Sequence, residues 1–109
     1  MSYKVKITPK FEKELKRLAK KYPSLKIEYP ELVNSLKENP VQGVSIGNSC
    51  YKIRLSIASK GKGKSGGARV IAYLQISETI VYLLTIYDKS EQENIAVKEL
   101  AELLKYISD

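Results

Sequence analysis

Residues 51–69 read YKIRLSIASKGKGKSGGAR, from Tyr51 to Arg69. The first part alternates, with Tyr51, Ile53, Leu55 and Ile57 on one side and Lys52, Arg54 and Ser56 on the other. That period of two predicts an amphipathic strand over Cys50 to Ile57. The stretch ends where Ala68 to Ile76 alternates again, with Arg69, Ile71, Tyr73 and Gln75 on one face and Val70, Ala72, Leu74 and Ile76 on the other. Between the two strands lies a loop of glycine, serine and lysine. The whole stretch carries Lys52, Arg54, Lys60, Lys62, Lys64 and Arg69 and no acidic residue. Pairing the two strands would gather Lys52, Arg54 and Arg69 on one face. Like charges across strands weaken a sheet, so an anionic ligand is the expected compensation.

The loop contains Gly63-Lys64-Ser65, yet it is not a phosphate loop of the NTPase kind. The residue five before Gly63 is Ala58 rather than glycine, and a strand follows where a helix is needed. A loop of about ten residues exceeds the usual two to five of a hairpin. Its lysines alternate with glycines, which suits close approach to a polyanion backbone. Lys60, Lys62, Lys64, Ser65, Gly66 and Gly67 are therefore the candidate RNA-binding residues.

Outward from this stretch, Thr79 to Tyr87 is strongly apolar, as a central strand covered on both faces would be. Ser90 and Glu93 have the spacing of a capping box, which predicts the start of a last helix. Its apolar face would be Ala96, Val97, Leu100, Leu103, Leu104 and Ile107. Toward the amino end, Tyr3 to Thr8 alternates as a half-buried strand. Thr8-Pro9 is a helix start, followed by Phe11, Leu15, Leu18, Ala19 and Tyr22 at helical spacing. Pro23 stops that helix and Ser24 can cap a second, with Leu25, Tyr29, Leu32, Val33 and Leu36 as its stripe. Pro30 either kinks this helix or marks where its regular part starts, and a short first turn followed by a helix ending near Glu38 is the favoured form. Val44 and Ile46 are candidates for a short strand or hairpin arm. The predicted order is β-α-α-β-β-β-α, an α+β domain over 1–109 in which an antiparallel sheet carries an N-terminal helical hairpin and a C-terminal helix.

The composition narrows the chemistry. The 109 residues carry a formal net charge of +7 and a pI of about 9.4, which favours polyanionic partners. There is one cysteine, Cys50, so no internal disulfide, in keeping with a reducing cytoplasm. No apolar run approaches a membrane span, and the amino end lacks an apolar signal core. Histidine is absent, which removes the usual acid/base and the commonest metal ligand. No metal or other cofactor is expected. RNA cleavage by attack of a 2′-hydroxyl on its own phosphate needs only a base, a charge clamp and an acid. Crowded cations favour a neutral amine, so Lys52 becomes a candidate base. Arg54 and Arg69 can hold phosphate; at the end of the last strand, Tyr87 can donate or accept a proton, and Lys89 can neutralise a phosphate or protonate the leaving oxygen.

The element order, CYKIRL before a basic loop, GKSGGARVI into the next strand and LLTIYDKSEQENI into the final helix together resemble the RelE/ParE toxin superfamily, over nearly the whole chain. The likeness is to its HigB/RelE-type members. It implies a RelE-like fold and the toxin of a bacterial type II toxin–antitoxin system. It further implies an endoribonuclease that cuts mRNA in the ribosomal A site, inhibits translation and is restrained by a cognate antitoxin. Lys52 and Arg54 match the family's basic pair, Arg69 its arginine in the following strand, and Lys89 a basic residue after the last strand. RelE-type members carry a catalytic tyrosine near the start of the final helix, where this chain has Ile95. HigB-type members use the region of Tyr87-Asp88-Lys89, often with histidines that this chain lacks. Two other readings are a ParE-like toxin that inhibits gyrase by contact and a non-catalytic RNA- or ribosome-binding module. A monomer is expected for the free protein, since exposed basic charge opposes self-association.

Overall fold

A computed structural model describes residues 2–61 and 66–107. The chain folds as β1 (Lys4–Ile7), α1 (Pro9–Lys21), α2 (Leu25–Glu38), β2 (Val44–Gly47), β3 (Cys50–Leu55), β4 (Ala68–Gln75), β5 (Ile80–Asp88) and α3 (Val97–Leu104). The five strands form one sheet in the order β1-β5-β4-β3-β2. Strands β2 to β5 make the antiparallel meander that their sequential connections predict. β1 instead joins β5 in parallel, so the sheet is mixed. The two helices between β1 and β2 carry the chain away from β1, which leaves that short strand free to complete the open edge of β5.

Alternate residues of the strands feed two cores. Val70, Ala72 and Leu74 join Phe11, Leu18, Leu25, Leu32 and Leu36 beneath the helical hairpin. Ile71 and Tyr73 face the other way, with Cys50, Leu84 and Tyr87, against Leu100 and Leu103 of α3. β5 contributes to both cores and is buried along nearly all its length, as its unbroken apolar run requires. No helix among the described residues is long and apolar enough to cross a membrane.

Several local signals hold and others shift. Thr8 caps α1: its Oγ1 accepts from the Phe11 amide at 3.1 Å and donates to the Leu84 carbonyl at 2.9 Å. Leu84 is the extra residue of a bulge, since Ile71 pairs with Thr85 while Ala72 pairs with Leu83. One threonine thus caps a helix and satisfies a carbonyl that the bulge removes from the ladder. Asn48 and Ser49 form a two-residue hairpin loop, both with positive φ, the twist that suits a right-handed hairpin.

Pro30 lies inside a continuous α2 rather than after a separate turn; the helix absorbs its missing donor one turn and a half from the start. The Ser24 side chain makes no cap bond to this helix. Ser90 and Glu93 do not open α3, which begins only after Ala96. The Ser90 amide and hydroxyl both donate to Asp88 instead, at 2.9 and 2.7 Å. Val97 is 86% exposed and Ala96 is exposed, so the apolar face of α3 narrows to Leu100 and Leu103, with Leu104 and Ile107 at its margin.

Candidate functional site

The register places three candidates in one row across three strands. Arg69 on β4 pairs directly with Arg54 on β3 and with Tyr87 on β5. With strands about 4.8 Å apart, the row spans about 10 Å, a length that fits a phosphodiester and its flanking oxygens. Lys52, two residues before Arg54, shares this face. All four lie on the side of the sheet that carries α3.

Their environments differ sharply. Arg54 is exposed and makes no hydrogen bond or ion pair among the described residues. Arg69 is only 3% exposed and donates to the Ala68 carbonyl at 3.1 Å. Lys52 donates from Nζ to Asn94 Oδ1 at 3.1 Å. A groove of about 220 Å³ opens beside it, lined by Ile46, Lys52, Asn94, Ile95, Val97 and Leu100. Ile95 therefore borders the candidate site, although its side chain has no acid/base chemistry. Asn94 was invisible as a site residue in the sequence, where it is one polar residue in the run SEQEN.

Tyr87 is 5% exposed, and its hydroxyl is the one buried side-chain polar atom among the described residues without a hydrogen-bond partner. Burial pushes its pKa up; nearby Arg69 pulls it down and Glu99 adds to the rise. At neutral pH the phenol keeps its proton, which suits a donor rather than a base. Leaving such a hydroxyl unpaired costs about 1–3 kcal/mol, which a ligand oxygen would recover. Lys89 is half-buried, and its amide donates to the Gly67 carbonyl at 3.1 Å. Cys50 is buried, and desolvation lifts its thiol to about 11, so it is inert as a nucleophile.

The candidate phosphate ligands of the loop are not one group. Lys62, Lys64 and Ser65 lie outside the described residues. Gly66 is half-buried and Gly67 buried. Gly67 sits so close to β3 that a Cβ there would come within 2.1 Å of the Leu55 carbonyl oxygen. Its lack of a side chain thus serves chain packing. Lys60 is turned inward: its side chain is 5% exposed and pairs with Asp88, which is 0% exposed. The Lys60 ammonium is thus engaged with a buried carboxylate rather than facing solvent as the basic-loop reading expects.

Asp88 is next to Tyr87 in sequence but points to the opposite side of the sheet. Tyr22 Oη donates to its Oδ2 at 2.8 Å. Burial alone would raise its pKa, but the hydrogen bonds from Lys60, Ser90 and Tyr22 outweigh that and hold it well below the usual carboxylate range. No group of three or more His, Cys, Asp or Glu placed to hold a metal ion occurs among the described residues.

A family model described as the RelE toxin of the RelE/RelB toxin–antitoxin system matches residues 4–109. Among solved structures, a mutant of E. coli toxin RelE in the free state is similar at 17% identity with a TM-score of 0.65, covering 99% of this chain and 100% of that one. The RelBE2 toxin–antitoxin complex of Mycobacterium tuberculosis is similar at 15% identity and a TM-score of 0.58, over 81% of this chain and 99% of that one. A mutant of E. coli RelE in complex with a peptide of the antitoxin RelBc is similar at 19% identity and a TM-score of 0.52, over 94% of each chain. At these identities the likeness to solved structures is one of fold.

Proposed function

The chain belongs to the RelE toxin family, and on that premise we propose that it is a ribosome-dependent mRNA endoribonuclease that blocks translation. The observation that carries this reading is the row of Arg54, Arg69 and Tyr87, with Lys52 beside it. Three cations and a protonated phenol on one face match the demands of 2′-hydroxyl attack on RNA. In that reaction the 2′-oxygen bonds to phosphorus and the bond to the 5′-oxygen breaks. A 2′,3′-cyclic phosphate and a 5′-hydroxyl result.

Lys52 takes the 2′-hydroxyl proton. Arg54 and Arg69 stabilise the extra charge on the non-bridging oxygens, where preorganised donors have their largest effect. Tyr87 or Lys89 returns a proton to the departing 5′-oxygen. No step calls for a metal ion, in keeping with a sequence that has no histidine. Lys62, Lys64, Ser65 and Gly66 of the basic loop would contact RNA or ribosome further along the strand.

The partner that restrains this activity is a cognate antitoxin protein. Toxins of this fold occur in complexes with antitoxins, and the net charge of +7 suits an acidic segment. The site of action is cytoplasmic, where translation takes place.

The test is the fate of mRNA in cells after induced expression, mapped by primer extension on reporters with and without a blocked start codon. Cuts at codon boundaries that vanish when translation is blocked are expected. Intact mRNA in growth-arrested cells would overturn the reading in favour of gyrase inhibition. A non-catalytic binder is distinguished by Lys52→Arg, which keeps charge and salt-dependent binding but should abolish cleavage, because arginine does not serve as a base.

A further inference from the structure

The basic loop leaves β3 and returns to β4 through two anchored feet. At the first foot, Ala58 donates its amide to Glu28 Oε2 at 2.7 Å, and Ser59 donates its amide to Ser24 Oγ at 2.9 Å. Lys60 then reaches across to Asp88. At the second foot, Gly67 packs against the Leu55 carbonyl and accepts from the Lys89 amide at 3.1 Å. Asp88 thus bonds Lys60 of the first foot through its side chain and immediately precedes Lys89, whose amide holds the second foot.

Asp88 is saturated. Oδ1 accepts from Lys60 and from the Ser90 amide and hydroxyl, and Oδ2 accepts from Tyr22. Its carbonyl accepts from the Glu91 and Gln92 amides, both at 3.0 Å. The Lys60 ammonium also lies 5.2 Å from the centroid of the Tyr22 ring, a cation–π contact. A buried ion pair adds little net stability over apolar packing of the same volume. What it adds is a single geometry, because charged groups in a dry site tolerate only arrangements that satisfy every donor.

We propose that Asp88 is a positioning residue that ties the root of the basic loop, through Lys60, to the strand end carrying Tyr87 and Lys89. Asp88 faces away from the cationic row and touches no substrate. Its effect is to give the loop and the proton donors one fixed relation, so that an RNA strand held by the loop meets Tyr87 and Lys89 in register. The catalytic half of this inference rests on the ribonuclease reading; the structural half does not.

The test uses the full-length protein and Lys60→Met, Asp88→Asn, the double variant and Tyr22→Phe, each confirmed folded by its thermal transition. Two quantities are read: amide hydrogen exchange, and cleavage of mRNA on programmed ribosomes under single-turnover conditions. In Lys60→Met the Lys89 amide should exchange about tenfold faster than the variant's lower global stability alone accounts for, while the Val70 and Ile86 amides in the sheet change only as far as that global stability does. Its cleavage rate at saturating ribosome should fall about 10- to 100-fold with little change in the half-saturating concentration, as misplacement without lost binding predicts. The double variant should lose no more than the worse single one. Tyr22→Phe removes one hydrogen bond and should move both quantities the same way by a smaller factor, which keeps the test decisive if a charge variant does not fold. Unchanged Lys89 exchange with wild-type cleavage in folded Lys60→Met would overturn the inference, as would a loss seen wholly in ribosome affinity. Faster Lys89 exchange in the variants, beside a wild-type protein that cuts no mRNA, would leave the clasp standing and remove the ribonuclease reading instead.

Discussion

Tyr87 and Asp88 are neighbours in sequence on the two sides of one strand end. On the side of α3, Tyr87 keeps an unpaired hydroxyl beside Arg69, with Arg54 exposed in the same row. On the side of the helical hairpin, Asp88 is fully buried with partners for both carboxylate oxygens. Folding stability selects for the second arrangement and against the first. A face that holds cations together and leaves a buried hydroxyl without a partner is best explained by a ligand. A face that satisfies every polar atom is best explained as scaffold.

The comparison breaks first at Asp88. Asp88→Asn leaves the Lys60 charge buried without its counter-ion and should cost about 3–5 kcal/mol, read from urea unfolding. Acid sharpens the same point. Because the folded-state pKa of Asp88 is depressed, its stabilisation is complete above the unfolded aspartate value of about 3.9. It is lost as pH falls from there toward the folded-state value. The stability gap between wild type and Asp88→Asn should therefore be full at about pH 6 and narrow below about pH 4; a gap independent of pH would contradict the assignment.

On the other face the sign reverses. Tyr87→Phe removes a buried hydroxyl with no partner, so stability should stay level or rise by about 1 kcal/mol, while cleavage falls. A marked loss of stability would show that the hydroxyl is paired and structural. The smallest effect belongs to the outer surface. Arg17 is half-exposed and bridges Glu14 and Glu91, so Arg17→Ala should change stability by less than about 1 kcal/mol.

Much of the cationic face was legible in the sequence. The alternation of CYKIRL and ARVIAYLQ fixes which residues share a face, and sequential pairing of the two strands brings Lys52, Arg54 and Arg69 together. Thr8-Pro9 announced α1 because a cap is a local chemical signal. What remained hidden depends on residues far apart. Lys60 read as one more lysine in a basic loop, because nothing in its neighbourhood indicates that Asp88 and Tyr22 converge on it from 28 residues after and 38 before. The Ser90 to Glu93 spacing suggested a cap, but Ser90 is nearer to the Asp88 carboxylate, and that bond prevails. The parallel placement of β1 follows from the open edge of β5, which only the assembled sheet possesses.

Arg54 separates a catalytic cationic row from a supporting opposite face. It is exposed and holds no partner among the described residues, so its removal should leave the fold alone. Single-turnover cleavage of ribosome-bound mRNA by Arg54→Ala should fall by about 100-fold or more, with a thermal transition equal to that of wild type. Wild-type cleavage by the folded variant would show that the cationic row is not the catalytic face.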